Sequence, residues 1–339
     1  MSKTRINWID CAKGIAILLV IAGHTIEQPV IRGAIFSFHM PLFFILSRMT
    51  YRFATSGSEL GAKFLKSCRH LLLPAVIVWA IWTLYVPISA AAHAAPIPDV
   101  VTYLRMQLLA LIWASGAEVH FGATVIPTIG APWFFFALCL GRAVYDLLHA
   151  KLDDKSTLAC SIVLSAIGVW VGTHQWLPLS LDIALAIQPF FFVGERLPKD
   201  KLAEHPRRWF LIAATLWAIT LGICFLASGH YLELARRRYF MYPLSYATAI
   251  FGTLMALEFC IAIDGESLPY RWLCSLGKSS LYLLCIHSLD GIWAPLFAAS
   301  NQYLCALLRI AVDLCILFLF MQVKGLIARG GATRARKAG

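Results

Sequence analysis

The stretch DCAKGIAILLVIAGHTIE, residues 10–27, is a continuous apolar run with a lysine near one end, Lys13, and a histidine near the other, His24. A mostly apolar run of roughly 17 to 25 residues is what an α-helix needs to cross a hydrocarbon core about 30 Å thick. No convincing small-residue cleavage site follows, and the run contains a histidine, so it reads as a retained span rather than a removed leader.

Outward from this run, nine more of similar length can be marked, near 33–51, 71–92, 131–149, 157–174, 177–195, 208–228, 242–263, 276–299 and 303–323. The chain is 60% hydrophobic and 14% charged, whereas a soluble globular chain is about a quarter charged. The runs lack the alternation of barrel strands, and a helix satisfies its own backbone hydrogen bonds in lipid. The expected fold is all-α: a polytopic bundle of about ten spans. It forms one membrane domain over 1–323, with a small, basic tail over 324–339 that reads as disordered and lies near anionic lipid.

An even number of spans puts both termini on one side, and basic residues choose that side. Arg52, Lys63, Lys66 and Arg69 share one loop, and Lys199, Lys201, Arg207 and Arg208 share another. Both loops are cytoplasmic if the N-terminus is, so both termini are expected inside, in a bacterial inner membrane. The formal charge of +11 is then largely an orientation signal. Scattered over short loops with no soluble domain to present it, this charge argues against a nucleic-acid partner.

The longest external connection, His93 to Gly130, contains Pro96 and Pro98 and a short apolar segment, Val100 to Trp113. It is the candidate lid or acceptor-binding loop, with that segment re-entrant, interfacial or simply packed. Cys139, Cys160, Cys224, Cys260, Cys285, Cys305 and Cys315 sit inside apolar runs and there is no CxxC, so the cysteines read as small hydrophobes.

Ionisable residues inside a membrane are costly and mark functional sites. Asp10 and Lys13, three apart, can pair on one helix face, and the plain reading is an interfacial ion pair. Lys13 and His24 are eleven apart, almost three whole turns and roughly 16 Å of rise on the same face. A cation at one depth and an imidazole further along suit a long donor such as acyl-CoA, its phosphates at Lys13 and its thioester at His24. In the second span His39 precedes Pro41, which is expected to break the helix just after it, and an antiparallel pair brings His39 to the depth of His24. The competing reading makes each histidine an interhelical hydrogen-bond partner. A metal site is not expected, because no carboxylate or cysteine is spaced to complete it.

Arg5-Ile6-Asn7-Trp8-Ile9-Asp10, Lys13-Gly14-Ile15, Gly23-His24 and Phe38-His39-Met40-Pro41-Leu42-Phe43-Phe44 together resemble the membrane acyltransferase-3 family, nearest its fucose 4-O-acetylase-related branch. That family's basic residue, ten intervening residues and histidine are matched by Lys13 and His24. Weaker likenesses follow at Gly130 to Phe135 and from Leu276 to His287. The resemblance implies transfer of an acyl group, usually acetyl from cytoplasmic acetyl-CoA, to a hydroxyl of an extracytoplasmic carbohydrate or glycolipid. The chain departs from the pattern at Ser47-Arg48, where the family has glycine after the serine; the arginine either adds a phosphate contact or blocks a close helix approach.

A hydroxyl needs a base to take its proton as the new bond forms, and histidine has a suitable proton affinity. The catalytic candidates are therefore His24, as general base or acyl carrier, and His39, which would orient the acceptor, hold the His24 tautomer or polarise the carbonyl. Asp10, Lys13, Arg48 and Arg142 are the candidates beside acetyl-CoA. Trp133 is placed to stack on a sugar, and Lys278 and His287 to support the acceptor side. Two rival readings remain: a proton-coupled transporter using Glu258, Asp290 and Asp313, and a membrane domain that binds without catalysing.

Overall fold

The computed structural model describes residues 6–51, 57–93 and 99–338, with side chains as far as residue 327. Arg5, Arg52, Pro96 and Pro98 of the sequence argument lie outside the described residues. The elements in chain order are α1 (Asn7–Thr25), α2 (Pro29–Phe36), α3 (His39–Thr50), α4 (Gly57–Ser67), a π-turn (Cys68–Leu72), α5 (Leu73–Ala92), α6 (Val100–Trp113), β1 (Val119–Phe121) and β2 (Thr124–Ile126). There follow α7 (Trp133–Lys151), α8 (Asp154–His174), α9 (Leu181–Ala186), α10 (Gln188–Arg196), α11 (Lys199–Leu202), α12 (Pro206–Ser228), α13 (Leu244–Ala262), α14 (Leu268–Lys278), α15 (Ser280–His287) and α16 (Gln302–Ala338). The fold is all-α apart from the antiparallel β1–β2 hairpin in the long connection.

Among the described residues, eight helices are long and apolar enough to cross a membrane, or nine if the pair Pro178–Ala186 and Gln188–Arg196, bent by 50°, is counted as one span. Of the about ten spans expected, the one at 276–299 is broken rather than a single continuous helix. There α14 ends at Lys278, α15 ends at His287, and two 3-10 turns follow, Asp290–Ile292 and Ala294–Phe297. Gly277, Gly291 and Pro295 are poor helix formers, and a hydropathy window averages over them. The tail read as disordered instead continues α16 as helix to Ala338.

Helix α1 is the centre of the bundle, packed by α3, α13, α14, α15 and α16, with Ala12, Ala16 and Ile17 wholly buried. Its contact with α14 is backbone to backbone. A Cβ on Gly14 would stand 2.1 Å from the Leu273 carbonyl oxygen, and one on Gly277 would stand 1.7 Å from the Asp10 carbonyl oxygen. Only glycine permits that approach. It sets Lys13 and Lys278, each next to one of these glycines, beside the same space.

Candidate active site

Lys13, Arg142 and Lys278 converge on one cavity of about 230 Å³, although they come from α1, α7 and α14. Ser47, Thr50 and Ser280 add hydroxyls, and His70 adds a fourth basic side chain. No acid is among the described residues that line it. Arg142 is held in place by donating from Nε to Ser47 Oγ at 2.7 Å, and its guanidinium lies 5.4 Å from the Tyr51 ring centre. A cavity with four basic groups and no carboxylate suits a polyanion such as a pyrophosphate. His70 was missed from sequence because Arg69-His70 was absorbed into the loop charge. It is presented by the π-turn, a deviation that recurs at functional sites.

Histidines stand further along, on α1 and on α15, which follows directly from α14. Ile17 of α1 and Leu281 and Leu284 of α15 continue the cavity wall, and His24 and His287 follow on α1 and α15. The two imidazole rings are 5.3 Å apart, centre to centre. His24 is exposed, whereas His287 is 4% exposed. Its Nδ1 lies 3.1 Å from Asp313 Oδ2 and 3.1 Å from Asp290 Oδ2, and Asp290 is in turn paired with Arg309. Two of the three acids that sequence reading assigned to a transporter, Asp290 and Asp313, are thus partners of a histidine, and Asp290 of an arginine as well. This link was invisible in sequence because Asp313 is 26 residues from His287.

His39 is 2% exposed and starts α3. The break comes before His39, at Ser37-Phe38, rather than after it as expected from Pro41. Pro41 sits in the first turn of α3, where its missing N–H breaks no helical hydrogen bond. His39 Nδ1 is 2.9 Å from the Ile35 carbonyl. A carbonyl only accepts, so Nδ1 carries the proton and Nε2 is left as an acceptor. His39 and His24 meet through Phe36, whose ring centre is 4.8 Å from His39 and 6.0 Å from His24. The Arg32 guanidinium lies 4.8 Å from the Phe36 ring centre and donates from Nε to the Tyr231 hydroxyl at 3.0 Å.

Three of the residues picked from sequence lie elsewhere. Arg48 is buried away from the basic cavity and donates to Asp146 at 2.7 Å, with Tyr145 beneath its guanidinium. The close helix approach that the departure at Arg48 put in doubt is made from the other side, by Gly194 of α10, whose Cβ would stand 2.3 Å from the Ile45 carbonyl oxygen. Trp133 is 4% exposed, packed against Gly116, and offers no open face to a sugar. Asp10 is buried at the α1–α14 crossing rather than lining the cavity.

A membrane helix bundle with a basic cavity and, further along, an exposed histidine has the groups that a multi-pass acyltransferase needs. The chain belongs to the acyltransferase-3 family: the model described as an acyltransferase domain matches residues 6–328. It is also similar to the nodulation protein NolL of Sinorhizobium fredii (strain NBRC 101917 / NGR234), 22% identical over 307 residues that cover 82% of this chain and 75% of that protein. No solved structure matches.

Proposed function

We propose that this protein takes an acyl group, acetyl by family majority, from cytoplasmic acyl-CoA and places it on a hydroxyl of an extracytoplasmic carbohydrate or glycolipid. The setting is a bacterial inner membrane with both termini in the cytoplasm, the broken α14–α15 stretch counting as the tenth crossing. The observation that carries the reading is that α1 and the α14–α15 pair each present a lysine to one basic cavity and a histidine beyond it.

In this reading the CoA phosphates lie at Lys13, Arg142, Lys278 and His70, and the pantetheine arm follows the wall of Ile17, Leu281 and Leu284 toward His24. His24 takes the proton of the acceptor hydroxyl as its oxygen attacks the thioester carbonyl. The carbon–sulfur bond breaks and the proton passes to the departing thiolate, giving the ester and free CoA. His287, held by Asp313 and Asp290, packs against His24 and fixes its ring, and His39 Nε2 accepts a hydrogen bond from the acceptor. An acyl-histidine on His24 is the alternative route and would give ping-pong kinetics.

The test is transfer of radiolabelled acetyl from acetyl-CoA to an envelope-glycan extract by the purified protein in vesicles. His24→Ala is expected to lower the rate by about 10²- to 10⁴-fold, while Lys13→Ala raises donor KM and leaves kcat nearly unchanged. Absence of both transfer and CoA release in the wild type, with solute uptake that His24→Ala does not alter, would favour the transporter instead.

A further inference from the structure

The groove between α12 and α13 lies outside the histidine site and encloses about 480 Å³. Its walls are apolar: Trp209, Ile212 and Leu216 from α12, Phe251 and Leu254 from α13. One polar group interrupts them. Glu258 of α13 lines the groove, is 1% exposed, and has no hydrogen-bond partner for either carboxyl oxygen among the described residues. A carboxyl left this way costs free energy that a ligand can recover.

The open end of the groove meets a second hollow, with Glu204 and His205 in the lining of both. Arg207 and Arg208 line that hollow and Lys201 the groove mouth, all three exposed. They stand at the amino end of the 23-residue α12, which has no side-chain cap and no acid in its first turn. Free N–H groups and the helix dipole there favour a phosphate. The three basic side chains outnumber the single Glu204. In the antiparallel α12–α13 pair Glu258, four residues before the end of α13, is about one turn inside this rim.

We propose that the groove binds one anionic phospholipid of the surrounding bilayer. The phosphate sits at the amino end of α12 among Lys201, Arg207 and Arg208. An ester carbonyl one turn deeper accepts a hydrogen bond from the Glu258 acid, and an acyl chain lies between Trp209, Leu216 and Phe251. Anion, acceptor and hydrocarbon are met in the order in which a phospholipid presents them.

Delipidated full-length protein is titrated with phosphatidylglycerol, phosphatidylcholine or diacylglycerol and read by native mass spectrometry and Tm. One phosphatidylglycerol is expected to bind about tenfold or more tighter than phosphatidylcholine, the scale of a few basic contacts at a membrane surface. Diacylglycerol, which lacks the phosphate, stays weak. The Arg207→Gln/Arg208→Gln pair brings phosphatidylglycerol down to the phosphatidylcholine level, and raising ionic strength does the same to the unmodified protein. Glu258→Leu weakens both phospholipids, whereas Glu258→Gln, which still donates, keeps them. Equal binding of all three lipids, or phosphatidylglycerol binding indifferent to both salt and the arginine variants, overturns the proposal. So does a dimer that Leu216→Arg separates, since a second copy would then occupy the groove.

Discussion

His287 is a residue whose surroundings say more than its position in the chain. With Nδ1 3.1 Å from Asp313 and Asp290 and its ring 5.3 Å from His24, it can orient the base without touching the acyl group. Asp313→Asn is therefore expected to lower kcat by somewhere between about 10- and 10⁴-fold, the upper figure being the cost of neutralising the orienting aspartate of a catalytic triad. Donor KM is expected to stay unchanged, which separates this effect from that of Lys13→Ala. Steady-state kinetics with acetyl-CoA reads both. An unaltered kcat would leave Asp313 a structural partner of His287 alone.

Among the elements, the α1–α14 crossing and the α8 start give two further expectations. Gly277→Ala places a Cβ 1.7 Å from the Asp10 carbonyl oxygen, so the helices must separate. Overpacking of this kind costs about 1–3 kcal/mol, and because the same crossing holds Lys13 beside Lys278, donor affinity falls with Tm. At α8, Asp153 accepts the Ser156 N–H at 3.0 Å, and its hydrogen bonds to Ser156 hold its carboxyl below the usual carboxylate range. A folded value below the unfolded one means the cap stabilises at pH above about 3.9. That contribution fades as pH falls through the folded value. Asp153→Asn, which caps without titrating, is expected to flatten this part of the acid limb in a Tm-against-pH series.

For the molecule as a whole, the connections on the histidine side are tied by one buried arginine. Arg237 donates to Asp182 at 2.8 Å, to Ser115 at 2.7 Å and to Ser180 at 3.2 Å, with both members of the Arg237–Asp182 ion pair at most 1% exposed. It joins the turn after α6, the turn before α9 and the segment between α12 and α13. Arg237→Ala strands Asp182 without its charge partner and is expected to cost about 3–5 kcal/mol. Limited proteolysis of the 114–132 connection, alongside Tm, checks whether the loss is local or global.

The sequence by itself determined the all-α membrane architecture, because apolar length and the lack of alternation leave the backbone no other way to satisfy itself in lipid. It also singled out Lys13 and His24 on one face, since helical periodicity is a local property that eleven residues can reveal. The break at 276–299, the burial of Arg48 and Trp133, the entry of His70 into the basic cavity and the joining of His287 to Asp313 and Asp290 were decided only by tertiary structure. Each depends on which faces of distant helices meet, and in lipid that choice is made by small residues such as Gly14, Gly194 and Gly277 and by paired charges, whose partners a single strand of sequence does not name.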